Sequence, residues 1–262
     1  MVKEALNLIF ESSPAAVYIF TFLFGICVGS FLNVCIFRMP EGESIVVVPS
    51  HCMTCGKKLH WYELIPLFSW LALRGKCHGC KSKISPQYPA IEAANGVLWV
   101  IALFFKGIHL ETLLTMAFFS VLLVIAVIDA RTKEIETSTC VFIFILGILR
   151  TILMRSQWLD RVLGFVVMAV IFFSIIFISN GRAMGGGDFK LVAACGLYIG
   201  LKFSLLSLVI ACVVGSVIHI LLMIIKKVGH ELAFAPYLAA GYAVSALFGD
   251  IIIKWYLEKI WF

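Results

Sequence analysis

Two aspartates beside long apolar segments are the residues of this chain best suited to catalysis. Asp129 ends the apolar run VLLVIAVIDA, and Asp188 follows three consecutive glycines in the stretch NGRAMGGGDFKL. An ionisable side chain at the end of a membrane-spanning segment is costly and is therefore a functional candidate. Two facing carboxylates share one proton, so that one takes a proton from water while the other polarises a carbonyl. This is the chemistry of aspartic peptide hydrolysis.

The glycine run would let an extended peptide backbone approach these carboxylates, because no side chain blocks the way. Its members are Gly185, Gly186 and Gly187. The run lacks the Gly-Lys-Ser/Thr ending of a phosphate-binding loop, so phosphate binding is not expected. Asp188 precedes a predicted helix and is a natural N-cap. In the alternative interpretation the glycines form an ordinary loop, and Asp129 pairs with Arg131, Lys133 or Arg182.

Four cysteines in two CxxC pairs predict a zinc site of the ribbon or knuckle type. They are Cys52, Cys55, Cys77 and Cys80. Each pair lies on a tight turn, so that all four sulfurs converge on one tetrahedral ion, and full ligation makes such a site structural. His51 or His78 could replace a thiolate, and four ordinary buried cysteines remain the alternative. The other five cysteines lie in apolar segments and are interpreted as small hydrophobic residues.

The composition places these residues in a polytopic membrane protein. Of the 262 residues 62% are hydrophobic and 14% are charged, and the mean hydropathy is +1.04, outside the range of soluble globular proteins. A span needs about 20 mostly apolar residues. Eight segments are predicted as transmembrane helices: 15–37, 89–106, 111–130, 139–154, 158–179, 189–201, 203–225 and 232–249. The sixth is short and is divided from the seventh only by Gly200 and Lys202, so seven helices are an alternative.

The predicted fold is therefore an all-α polytopic membrane protein with about eight transmembrane helices and a small zinc-ribbon-like insertion after the first helix. The predicted domains are 1–37, the first transmembrane helix, which is retained as an anchor, 38–88, the zinc-binding loop, and 89–262, the membrane-embedded core. The charged, aromatic tail after residue 249 is predicted to be an interfacial helix.

The distribution of basic residues predicts the orientation. Most of the 21 lysines and arginines fall on one set of connecting loops, and the segment 38–88 is the richest of them. The positive-inside rule then places the zinc loop in the cytosol and both aspartates at the same cytosolic depth. The net charge of +6 is explained by this orientation signal. Without a basic stripe interleaved with aromatic residues, no nucleic-acid partner is expected.

The ordered motifs resemble those of the bacterial type IV prepilin peptidases, which are membrane aspartic proteases of the GxGD type. GSFLNVCIFRMPEGES is similar to the opening signature of that family, and the stretch PSHCMTCGKKLHWYELIPLFSWLALRGKCHGC is similar to its zinc loop. GGGDFKLVAACGLYIG, which includes Lys190, resembles its GxGDxKL block, and AFAPYLAAG resembles its closing segment. The resemblance covers nearly the whole chain.

The resemblance implies a bifunctional enzyme of the bacterial plasma membrane. Family members cut the leader from prepilins or pseudopilins at the cytosolic face, and many then N-methylate the new terminus with S-adenosylmethionine. It implies that Asp129 and Asp188 are the catalytic pair, with the glycines and Lys190 near the substrate. Glu92 is proposed as a methyl-donor residue from family similarity alone. The oligomeric state is left open.

The chain departs from the family pattern at three places. Ile135-Glu136-Thr137 stands where Ile/Leu-Pro-Asp/Asn is common, Lys81 stands where a glycine commonly follows the last cysteine, and Ala235 stands where glycine is frequent. Two other functions remain open at this stage. One is a GxGD protease of another substrate class without methyltransferase activity. The other is a non-enzymatic membrane scaffold whose zinc loop docks a partner.

Overall fold

The computed structural model describes residues 13–182, 184–226 and 233–260. Within these ranges the chain forms nine α-helices. In chain order they are α1 (Pro14–Arg38), α2 (Phe68–Ala72), α3 (Gln87–Lys106), α4 (Leu110–Thr132), α5 (Thr137–Leu153), α6 (Trp158–Ile178), α7 (Gly186–Ile199), α8 (Leu201–Lys226) and α9 (Ala235–Ile260). Two short 3-10 helices, Trp61–Leu64 and Arg155–Gln157, complete the regular structure of the described residues.

The predicted all-α membrane fold is confirmed. Among the described residues, six helices are long and apolar enough to cross a membrane: α1, α3, α4, α6, α8 and α9. The other two predicted segments also form helices, but α5 has 17 residues and α7 has 14, fewer than the ~20 that a full span needs. The tail, predicted to be an interfacial helix, instead continues α9 to Ile260, since it contains no proline or glycine.

Helix ends follow local chemistry. Pro14 occupies the first position of α1, where its missing N–H costs nothing. Gly107 ends α3 with φ 69°, and Gly200 ends α7 with φ 93°, a left-handed conformation that glycine adopts without a steric penalty. The short helix α7 is thus separated from α8 by Gly200, as the sequence predicted.

The chain divides into two compact units, residues 1–120 and 121–262. In the first unit α1 packs closely against α3. A Cβ on Gly25 would lie 2.7 Å from the Gly96 Cα, and a Cβ on Gly29 would lie 2.7 Å from the Glu92 Cα, so only glycine permits this approach. The buried Asn95 side chain completes the contact by donating to the Gly25 carbonyl at 2.7 Å.

In the second unit α7 packs against α5 and α6, and α8 packs against α6 and α9. Every residue of α7 from Leu191 onward is buried, together with the Gly200 that follows it. The α6–α7 contact depends on a reciprocal pair of glycines. A Cβ on Gly164 would lie 2.5 Å from the Gly196 carbonyl oxygen, and a Cβ on Gly196 would lie 2.5 Å from the Gly164 carbonyl oxygen. This backbone-to-backbone packing fixes the helix that carries Asp188.

Candidate active site and metal centre

Asp129 lies in the last turn of α4 and is buried, with 5% of its surface exposed. Its Oδ2 accepts a hydrogen bond of 3.0 Å from the backbone N–H of Ala235, the first residue of α9. The first N–H groups of a helix have no partner within the helix, and the N-terminus carries a partial positive charge. One aspartate is therefore held by the N-terminus of a helix 106 residues further along the chain.

Asp188 is the third residue of α7, and Gly185 rather than Asp188 is the N-cap. The expectation of an N-cap aspartate is wrong because Gly186 and Gly187 join the first turn of the helix. The Asp188 carboxylate instead lies near the backbone N–H of Gly185 and interacts with it. This resembles one half of a capping box, in which an acidic residue at the third position satisfies the N-cap amide.

The two carboxylates lie close enough for their charges to interact. Both belong to the second compact unit, and each stands at a helix end, α4 for Asp129 and α7 for Asp188. The backbone amide of Ala235 holds Asp129, and the backbone amide of Gly185 lies near Asp188. Such a pair can share a proton and so act as acid and base toward one water molecule and one carbonyl.

The three glycines before Asp188 have different surroundings. A Cβ on Gly186 would have no atom within 4 Å, and one on Gly185 would meet its nearest atom, an Asp188 oxygen, at 3.9 Å. A Cβ on Gly187 would lie 2.9 Å from the Ile135 Cβ. Gly185 and Gly186 thus leave open space beside the carboxylate, whereas Gly187 is needed for packing against Ile135.

Lys190 is exposed, and its Nζ donates to the Thr137 Oγ1 at 3.0 Å. Thr137 is the first residue of α5. The lysine therefore connects the start of α7 to the start of α5 and contributes to the positions of the loops around Asp188.

The sequence-based reasoning did not identify Ala235 as a neighbour of Asp129. A signal was present, since Pro236 is the only proline after residue 90 and proline favours the first turn of a helix. That signal predicts a helix N-terminus at this point, but it does not indicate which side chain the N-terminus faces.

The four predicted zinc ligands come together in the first unit. Their sulfur atoms all lie within 4.8 Å of one another, and the Cys52 and Cys80 sulfurs are 3.9 Å apart. Four thiolates around one zinc ion, with Zn–S bonds of about 2.3 Å, would place the sulfurs about 3.8 Å apart. All nine cysteines of the chain are free. The arrangement therefore fits a tetrahedral thiolate site and leaves no open coordination position.

The two halves of this site repeat each other. Gly56 N–H donates to the Cys52 carbonyl at 2.8 Å, and Lys81 N–H donates to the Cys77 carbonyl at 3.0 Å. The residue after each second cysteine is left-handed, with φ 69° at Gly56 and φ 60° at Lys81. Single antiparallel bridges, His51 with Lys58 and Lys76 with Lys83, close the two turns. The family's glycine at position 81 is thus explained by backbone geometry, which a lysine adopts only with strain.

The pKa values of the thiols also favour binding of a cation. The backbone N–H of Cys55 lowers the pKa of the Cys52 thiol to about 6. The Ser82 hydroxyl, 3.0 Å from the Cys80 sulfur, lowers the pKa of Cys80. The Lys57 N–H lowers the pKa of Cys55, but burial and the Cys80 and Cys52 sulfurs outweigh it, and the pKa rises to about 11. A bound divalent cation would replace the protons that these crowded sulfurs share.

Glu92 is buried in the second turn of α3. Its Oε2 accepts a hydrogen bond of 2.7 Å from the Leu67 N–H, and its carboxylate also interacts with the Ser30 side chain. These contacts give the carboxylate a structural role between α1, α3 and the zinc loop. We therefore assign no step of methyl transfer to Glu92, and its part in methyl-donor binding stays a prediction.

Comparison with known proteins identifies two family models along the chain. Residues 23–105 match the bacterial Peptidase A24 N-terminal domain, and residues 116–220 match the type IV leader peptidase family. No solved structure matches the chain.

Three curated relatives are named prepilin leader peptidase/N-methyltransferase. The Bacillus subtilis protein is 32% identical over 240 residues, covering 90% of this chain and 96% of the relative. The Stutzerimonas stutzeri and Pseudomonas aeruginosa proteins are 30% and 28% identical, each covering 94% of this chain and 96% of the relative. With the helical fold, the aspartate pair and the cysteine cluster, these matches show that the chain is a multi-pass bacterial membrane protein that belongs to the type IV leader peptidase family.

Proposed function

We propose that this protein is an aspartic endopeptidase that removes the leader peptide of type IV prepilins or pseudopilins and then N-methylates the new N-terminal residue with S-adenosylmethionine. The observation that carries the peptidase half is the proximity of Asp129 and Asp188 at two helix ends, with Asp129 held by the Ala235 amide. The names of the relatives support both halves.

In the proposed reaction the aspartate pair holds one proton. The ionised carboxylate accepts a proton from water, and the protonated one donates a hydrogen bond to the scissile carbonyl. The resulting tetrahedral intermediate collapses when the leaving amine takes a proton from the pair. The open space beside Gly185 and Gly186 would receive the extended backbone on one side of Asp188.

We place the aspartates and the zinc loop on the cytosolic side, because most lysines and arginines lie on the same set of loops. The four thiolates would hold a structural zinc ion, which gives a loop too small to build its own core a fixed shape. S-adenosylmethionine would supply the methyl group, and the chain would present the new α-amine to it.

The direct test incubates purified protein, reconstituted in lipid, with a prepilin, with and without S-adenosylmethionine. Mass spectrometry then reports the cleavage position and the mass of the mature N-terminus together. We expect cleavage in both samples and one added methyl group only with the donor. Cleavage without methylation in both samples would restrict the protein to the peptidase half.

Replacement of either aspartate tests the catalytic pair. Asp129→Asn and Asp188→Asn should each abolish cleavage, because an amide can neither accept the proton of water nor donate the shared one. Asp250→Asn is the matched control, since Asp250 is exposed and, among the described residues, forms an ion pair with Lys202 at 3.3 Å, a surface contact of little energetic value. Normal cleavage by either catalytic-pair variant would overturn the assignment of that aspartate to catalysis.

A further inference from the structure

The zinc loop exposes a set of large apolar side chains between the two cysteine pairs. We refer to residues 61–72 as the aromatic segment. Trp61 is 79% exposed, Phe68 is 55% exposed and Leu71 is 62% exposed. Tyr62, Leu64 and Ile65 are also exposed. A soluble loop rarely leaves so many large apolar side chains uncovered, and such a patch marks an interaction surface.

The short helix α2 within the aromatic segment has two distinct sides. Trp70 faces the loop, where its Nε1 donates to the Ile84 carbonyl at 3.3 Å and its ring packs beside Gly75. Phe68 and Leu71, three residues apart and therefore on one face, point away from these contacts and stay exposed. The apolar side of the segment is thus turned outward while its other side is fixed to the loop.

The aromatic segment is tied to a membrane-spanning helix. Leu67 has a positive φ of 61°, and the Phe68 N–H donates to the Pro66 carbonyl at 2.6 Å, which is a tight γ-turn. The Leu67 N–H points to the Glu92 carboxylate of α3 at 2.7 Å. Glu92 is five residues from the start of α3, or about 8 Å along its axis. The turn therefore holds the segment at the end of α3, where a bilayer surface begins.

The basic residues around the aromatic segment suit contact with an anionic surface. Lys57, Lys58, Arg74, Lys76 and Lys83 flank the aromatic segment on both sides, whereas Glu63 is the only acidic residue between residues 44 and 91. Glu63 is buried and is satisfied by the His60 N–H at 2.8 Å and by Lys57 at 3.4 Å. Anionic headgroups attract basic residues beside a membrane span, and tryptophan and tyrosine favour the interfacial layer.

We propose that the aromatic segment lies in the interfacial layer of an anionic lipid leaflet, with Trp61, Phe68 and Leu71 inserted among the headgroups. The segment is a second attachment of the zinc loop to the membrane, in addition to the ends of α1 and α3. This assignment is independent of the peptidase and methyltransferase reactions, because it concerns only what covers this surface.

Depth-dependent quenching tests the proposal. A genetically encoded fluorescent amino acid replaces Leu71 in the full-length protein, which is reconstituted in vesicles of phosphatidylethanolamine and phosphatidylglycerol. The quenchers are aqueous iodide, a lipid with a nitroxide near the headgroup, and a lipid with a nitroxide near the chain end. We expect the shallow nitroxide to quench this probe about twofold more strongly than the deep one, because interfacial segments insert only ~5–10 Å. Iodide should have little effect.

Two other probe positions calibrate the measurement. Phe24 is 66% exposed near the middle of the α1 span, and a probe there should respond most to the deep nitroxide. Glu43 is exposed on the loop outside the aromatic segment, and a probe there should be quenched by iodide. Retained zinc content shows that each labelled protein is folded.

Every result at position 71 decides the question. Quenching by iodide alone would mean that the segment is in water, and the proposal would be wrong. Protection from iodide and from both nitroxide lipids would mean that protein covers the segment, either a second copy or another part of the chain, which also overturns it. Strong quenching by the deep nitroxide would indicate a buried hairpin and would contradict an interfacial position.

Discussion

The hydrogen bond between Ala235 and Asp129 leads to a test of the site that leaves both aspartates unchanged. Ala235→Pro removes the backbone N–H that lies 3.0 Å from the Asp129 Oδ2. Ala235 is the first residue of α9, where a proline removes no hydrogen bond within the helix. The substitution therefore removes the hydrogen bond to the carboxylate without removing one from the α9 ladder.

The size of the effect follows from the hydrogen bond that is lost. A hydrogen bond to a charged group contributes about 1.5–3 kcal/mol, and an oxygen left without a partner in a buried site costs a similar amount. Since each 1.36 kcal/mol of activation free energy is tenfold in rate, kcat for leader cleavage should fall by about 10- to 150-fold. The proline ring also occupies the space of the amide hydrogen, so we expect the fall in kcat to be no smaller than about tenfold.

The assay is cleavage of a prepilin by purified variants in lipid, with kcat and KM determined separately. Ala235→Gly is the matched control, because it keeps the N–H and introduces the residue that is frequent in related enzymes. We expect near-normal cleavage by the glycine variant and a low kcat with similar KM for the proline variant. A folded Ala235→Pro protein that cleaves as fast as Ala235→Gly would refute a role for this amide in positioning Asp129.

Three further predictions follow from the packing and from the metal site. Gly164→Ala should destabilise the protein by about 1–3 kcal/mol in denaturant melts, because its Cβ would press on the Gly196 carbonyl. Gly186→Ala is in open space, so this variant should melt normally but cleave slowly. Equal melts for the two variants would contradict the packing argument. Lys81→Gly should stabilise the loop by about 1 kcal/mol by relieving a left-handed lysine, measured as slower zinc loss to a chelator; faster loss would contradict it. Cys52→Ser should lower both bound zinc and the yield of folded protein, and unchanged metal content would exclude Cys52 as a ligand.

Much of the fold was predictable because the bilayer imposes a simple rule on composition. Each of the eight apolar segments became a helix, and the four cysteines came together as their spacing predicted. Hydropathy could not predict the first and last residues of each helix to within one turn. Gly186 and Gly187 joined α7, which moved Asp188 from the predicted cap position to the third position of the helix.

The details of the candidate site depend on contacts between residues far apart in sequence. Asp129 and Ala235 are 106 residues apart, and no local sequence pattern connects them. The amide that holds Asp129 therefore could not be predicted. The three glycines look alike in the sequence, yet Ile135 occupies the space beside Gly187 and leaves Gly186 open. Only tertiary packing distinguishes them.

The shortness of two helices has a consequence for the lipid environment. At 1.5 Å per residue, α7 extends over about 21 Å and α5 over about 26 Å, whereas the hydrocarbon layer is about 30 Å thick. α7 is enclosed by protein from Leu191 onward, but α5 exposes Val141, Phe142 and Ile145, so beside α5 the bilayer must thin or the aqueous phase must reach below the mean lipid surface. Peptide hydrolysis consumes water, and the short α5, which packs against α7, would bring the aqueous phase closer to the helix that carries Asp188. The rate of this protein should therefore respond to acyl-chain length, in a way that proteins built only from full-length spans do not.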